Sequence, residues 1–225
     1  MSGYHAAGVT NLVFYAIALL GTAHQLREIS RRKAAASPGE PSTSVISLNQ
    51  LMVSFAGYYT FFVYGYCVRP FNHYLVWPRL VGLLLVLAIV RELARDRRER
   101  SSTGAYVLGV AMLLPALGVL IVQPELSADA RRVPQILAVV ATLLVVQGFA
   151  HQIVLVRRAG HLGAISVWMH VATFVKDFSL AALGFAMGVA QGWPLMLMGG
   201  ASVSVKSVLL GHLWAYRRGA VEPGR

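Results

Sequence analysis

Gly21-Thr22-Ala23-His24-Gln25-Leu26 returns later in the chain as Gly148-Phe149-Ala150-His151-Gln152-Ile153, and the residues around the two copies decide the fold. Each copy lies late in an apolar run and is followed by an Arg pair, Arg31-Arg32 in the first case and Arg157-Arg158 in the second. The echo then continues. Ile46-Ser47, Phe55 and Gly65 are answered by Ile165-Ser166, Phe174 and Gly184 at one constant offset. Trp77-Pro78 and Gly82 are answered by Trp193-Pro194 and Gly199 after one short gap. Residues 1–100 and 133–225 therefore read as two copies of one unit, joined by residues 101–132.

The composition says what surrounds these units. A chain of 225 residues that is 56% hydrophobic and only 13% charged cannot cover itself with a polar surface. Seven apolar runs approach the ~20 residues that cross a hydrocarbon core, at about 8–26, 46–67, 74–90, 104–123, 133–156, 163–188 and 193–216. The expectation is an all-α membrane protein with three spans, a linker span and three more. No cleavable signal is expected, because no positive segment precedes the first run.

The formal net charge of +11 invites a nucleic-acid reading, but the positions of the cations oppose it. Arg27, Arg31, Arg32, Lys33, the five Arg between 91 and 100, Arg157, Arg158, Arg217, Arg218 and Arg225 all fall on one side of the seven-span scheme. Only Arg69, Arg131 and Arg132 fall on the other. The positive-inside rule then puts the N-terminus out and the C-terminus in. The basic excess is a topology signal, with the lipid bilayer as partner and no nucleic acid. Heavy use of Arg over Lys suggests a bacterial cytoplasmic membrane.

Ionisable residues inside a span are costly and mark pathways or sites. Lys206 lies eleven residues from Arg217 and thirteen from Trp193, so it sits ~16–20 Å from either end of its helix. A Lys at that depth needs a carboxylate, a bound anion, deprotonation or a covalent partner. Asp177, with Lys176 beside it, is the one carboxylate at comparable depth. His170, Thr173, Phe174 and Asp177 recur at spacings of three and four and form a stripe able to line a cavity and relay a proton. The matching stripe of the first unit is Leu51, Ser54, Phe55 and Tyr58, of which Tyr58 is the candidate for solute contact. Arg79 has two readings. It is buried if the third span begins near Phe71, and interfacial if Trp77-Pro78 opens the helix. His24, Gln25, His151 and Gln152 are candidates for gating or a proton relay. The two His lack the carboxylate or Cys companions of a metal site, and Pro134-Gln135 is a helix start.

The arrangement of Gln25, Arg31-Arg32-Lys33, Ser47 and Tyr58 to Gly65, repeated in Gln152, Arg157-Arg158, Gly163, Ser166 and Gly184, resembles the PQ-loop, SWEET and KDEL-receptor superfamily. That resemblance covers nearly the whole chain and implies a seven-helix, three-plus-one-plus-three fold. It also implies a small-solute site between the halves, and no cofactor is expected. Two departures stand out. The family's Pro before Gln is His24 and His151 here, and the Asn of the sugar-type Asn-x-x-Gly is replaced by Arg79 and Met196. The expected function is a carrier of a small polar solute, an organic anion or amino acid in preference to a sugar, working by alternating access with Asp177 as the group for proton coupling. A receptor of the KDEL-receptor type is the alternative, and a retinal protein built on Lys206 is a third. No Ser-His-Asp or phosphate-loop pattern points to an enzyme. A homo-oligomer is left open.

Overall fold

The computed structural model describes residues 2–35, 42–68, 70–122, 133–162 and 164–217. Arg69, Arg131, Arg132, Gly163, Arg218, Arg225 and most of the Pro/Ser/Gly-rich loop after Ala35 lie outside the described residues. Within them the chain is all helix and turn: α1 (Ser2–Ala35), α2 (Leu48–Cys67), α3 (His73–Arg97), α4 (Arg100–Val122), α5 (Val133–Ala159), α6 (Val167–Ala186) and α7 (Val189–Arg217).

Five helices, α1, α3, α4, α5 and α7, are long and apolar enough to cross a membrane. The other two, α2 and α6, are 20 residues each and hold no stretch as long and apolar as those. The reason lies in their packing. Each turns one face into the bundle, and these buried faces carry Gln50 and Thr60 in α2 and His170, Thr173, Lys176, Asp177 and Ser179 in α6. The outside shows the opposite character, with Ile121, Leu143 and Phe185 more than half exposed. An apolar exterior over a polar interior is the build of an all-α integral membrane protein.

Helix starts follow local chemistry. Ser47 caps α2 and Ser166 caps α6, their hydroxyls accepting from Gln50 N at 3.0 Å and Met169 N at 3.2 Å. The Asn72 side chain caps α3 by accepting from Leu75 N at 3.1 Å. Trp193-Pro194 does not open its helix. α7 begins at Val189, one residue after Gly188 at φ 81°, and Pro194 falls within its second turn. Likewise α3 begins at His73, so Trp77-Pro78 lies inside it.

The packing order decides where a cavity forms. α3 lies against both α1 and α2, and α7 lies against both α5 and α6. α1 crosses over to pack on α6, α2 packs on α5, and α4 covers α3 and α2. α1 and α2 meet at the Tyr15 and Tyr58 rings, 6.0 Å apart, and α5 and α6 at Phe149 and His170, 6.2 Å apart. The space between these ring pairs is the middle of the molecule.

Glycines allow the close crossings. A Cβ on Gly21 would stand 3.0 Å from the Met169 backbone of α6, and one on Gly148 would stand 2.1 Å from Val53 of α2. The tightest crossing joins α6 to α7, where a Cβ on Gly192 would lie 1.7 Å from the carbonyl oxygen of Gly184. Backbone cannot yield as a flexible side chain does, so Gly192→Ala is expected to destabilise by about 1–3 kcal/mol. A thermal midpoint in detergent equal to that of the parent protein would refute this contact.

Candidate functional site

The cavity between the ring pairs has a volume of about 70 Å³ and is lined by residues of α1, α2, α3, α5, α6 and α7. Arg79, Lys176, Asp177 and Lys206 all line it, and all four are at least 94% buried. Tyr58, Thr173 and His170 line it as well. Every expected solute-contacting residue therefore meets in one place, although they come from α2, α3, α6 and α7.

Asp177 is the hub. Its Oδ1 accepts from Lys176 Nζ at 2.6 Å, and its Oδ2 accepts from Lys206 Nζ at 2.5 Å and from the Ser202 hydroxyl at 2.5 Å. Ser202 and Lys206 are four residues apart on α7 and so share a face. Of the four options open to a deep Lys206, the structure realises the carboxylate pair. Charge-assisted hydrogen bonds of this kind are about twice as strong as neutral ones, and the hydroxyl helps satisfy a buried carboxylate.

Arg79 is buried, at 1% exposure, which settles its two readings in favour of the interior. Pro78 helps to hold it. A proline has no N–H to return to the carbonyl four residues back, so Pro78 leaves the Tyr74 carbonyl free. The Arg79 guanidinium donates to that oxygen at 3.0 Å. It also reaches Asn11 Oδ1 at 3.5 Å and lies over the Tyr15 ring at 4.3 Å. Asn11 in turn donates to the Ser179 hydroxyl at 3.0 Å, tying α1 to α6.

Two expectations about the stripes are corrected. Phe174 turns away from the cavity onto Phe178, and Phe55 faces Gly109 of α4. The faces in use are His170, Thr173, Asp177 and Leu180 on α6 and Leu51, Ser54, Tyr58 and Phe61 on α2. Phe55 points into the core instead, whereas Phe174 lies partly buried against the exposed ring of Phe178.

His24, Gln25, His151 and Gln152 do not line the cavity, so a relay through it by these four is not what the geometry provides. They make a reciprocal clasp at the Arg-rich ends of the helices. Gln25 Nε2 donates to the Ala164 carbonyl, and Gln25 Oε1 accepts from Ser166 N, both at 2.6 Å. Gln152 Nε2 donates to the Val45 carbonyl at 3.0 Å, and its Oε1 accepts from Ser47 N at 2.8 Å. His24 Nδ1 meets the Ser166 hydroxyl at 2.9 Å, and His151 Nδ1 meets the Ser47 hydroxyl at 2.8 Å. Since each hydroxyl already accepts a backbone N–H as helix cap, its own proton is free for the imidazole. The loop before α2 is further held by Arg97, which donates to the Thr43 and Ile46 carbonyls, and by Asp96, which accepts from Thr43 N at 2.9 Å.

Sequence reasoning did not single out Asn11, Tyr15, Phe149 or Ser202 as parts of the site. Asn11 carried a signal, as an amide inside the first apolar run, and so did Ser202, one turn before Lys206. Comparison with protein-family models, curated proteins and solved structures finds no match to this chain.

Proposed function

We propose that the protein is a membrane carrier of a small polar solute, an organic anion or amino acid in preference to a sugar, working by alternating access rather than as an enzyme. The observation that carries this reading is the central cavity, where buried ionisable residues of α3, α6 and α7 converge between two groups of three helices. In this reading all seven helices span, with the N-terminus out, the C-terminus in, and the Arg-rich ends facing the cytoplasm of a bacterial cell.

The two groups are α1–α3 and α5–α7, related as repeats and linked by α4. The matching packing orders support this, as do the clasps that each group makes on the other. The same features support kinship with the PQ-loop, SWEET and KDEL-receptor superfamily, in which such halves rock about a site near the midplane. The clasp is then the closed gate at the Arg-rich end, and the His residues that replace the family's Pro are part of its latch.

Purified protein in proteoliposomes is expected to take up a labelled small organic anion faster than protein-free vesicles, with uptake abolished in Lys206→Met. Saturable binding in detergent with no flux under any pH gradient would overturn the carrier in favour of a receptor.

A further inference from the structure

The charges lining the cavity do not balance. Among the described residues Arg79, Lys176 and Lys206 stand against Asp177 as the one acidic lining residue, a formal excess of two positive charges around the cavity. Both oxygens of Asp177 are already engaged by the two lysines and Ser202. A solute ammonium would find no free carboxylate here, and it would add to a surplus the interior already bears badly. That argues against an amino acid and for an anion.

The cations follow one another through shared contacts. Arg79 is stacked on Tyr15, with no carboxylate at ion-pair distance among the described residues. Its protein hydrogen bonds come from one nitrogen, to Tyr74 O and Asn11 Oδ1, whereas a guanidinium carries five N–H donors in a fork suited to a carboxylate. Lys176 shares the Tyr15 ring with Arg79, 5.0 Å from its centre, and is bonded to Asp177. Lys206 is bonded to the other oxygen of Asp177 and lies 5.0 Å from the centre of the Phe149 ring. One further lining atom, His170 Nδ1, is buried without a hydrogen-bond partner among the described residues. A buried polar atom in that state calls for an occupant.

Size narrows the class further. The cavity of about 70 Å³ has room for about five waters, the scale of a small metabolite rather than a large one. A monoanion would leave one positive charge uncompensated, and a dianion would leave none. We propose that this cavity binds a small dicarboxylate, one carboxylate on the Arg79 fork and the other at Lys206, so that the ligand bridges α3 of the first half and α7 of the second. That the ligand is also cargo rests on the carrier reading; its binding does not. Asp177 is the counter-ion of Lys206, and the incoming carboxylate takes its place there.

The test is calorimetric titration of the purified full-length protein in detergent with succinate, butyrate, inorganic phosphate and alanine. Succinate is expected to bind at least about tenfold more tightly than butyrate, the effect of one added charged hydrogen-bonded contact. Phosphate and alanine are expected to bind more weakly than succinate. Arg79→Gln that elutes as the parent does should bring succinate and butyrate to within about threefold of each other, because only one end remains. If that variant does not fold, the four-ligand panel on the parent protein decides alone. Butyrate or alanine binding as tightly as succinate, phosphate binding more tightly, or no succinate binding would each overturn the proposal. Succinate binding without uptake into proteoliposomes would sink the carrier and keep the dicarboxylate site. Uptake of another solute without succinate binding would do the reverse.

Discussion

Asp177→Ala is expected to lower the stability of the folded protein by about 3–5 kcal/mol, the cost of removing one partner from a buried ion pair. Two ammonium groups would then sit in the interior, 94% and 96% buried, with no carboxylate between them. Neither is at the end of its helix, so neither stem can carry its charge to a headgroup. The loss should show as a fall in the thermal midpoint in detergent, and its origin can be separated from a packing defect. Combining Asp177→Ala with Lys176→Met and Lys206→Met removes the stranded charges and should recover most of the midpoint, since buried ion clusters are commonly replaceable by apolar residues of similar volume. A triple variant no more stable than Asp177→Ala would mean that shape, and not charge, dominates the site.

Gln25→Leu and Gln152→Leu should each cost about 2–6 kcal/mol, because each strands one carbonyl and one N–H that would cost ~1–3 kcal/mol apiece to leave unpaired. For Gln25 these are Ala164 O and Ser166 N, and for Gln152 they are Val45 O and Ser47 N. The reciprocity predicts effects of similar size. His24→Ala and His151→Ala should cost less, about 0.5–1.5 kcal/mol each, since the Ser hydroxyl keeps its role as helix cap. Opening of the clasp can be followed at Thr22, a buried lining residue just before His24, by thiol labelling of Thr22→Cys. Faster labelling in the Gln25→Leu background is the expected result. An unchanged rate would show that the clasp does not guard the cavity.

The doubled Gly-x-Ala-His-Gln was legible because helix-forming segments keep their register and the echo survives in the sequence. What it does was not legible, since Gln25 acts on residues 139 and 141 positions away. The same holds for Asn11 and Ser179, 168 residues apart. Lys206 and Asp177 could be singled out from the cost of placing charge in a bilayer, which depends on depth alone. Tyr15 could not, because a tyrosine in an apolar run resembles any packing or interfacial aromatic until Arg79 is found over its ring. Phe174 and Phe55 were misassigned for a related reason: i, i+3 and i+4 spacing defines a broad face, and only the neighbouring helix decides which edge of it is lined. The onset of α7 was misread because Pro is favoured in a first turn, whereas Gly188 sets the turn five residues before Trp193.

The crossed clasp also bears on how the chain is made. Gln25 leaves the ribosome well before Ala164 and Ser166, and until they arrive its amide has no partner within its own half. Gln152 emerges to find Val45 and Ser47 already waiting. Assembly is thus asymmetric in time although the contacts are symmetric in space: the first half waits, and the second completes it. Two separately synthesised halves would each carry an unfilled glutamine and an unpinned helix start, and each would find what it lacks only on the other.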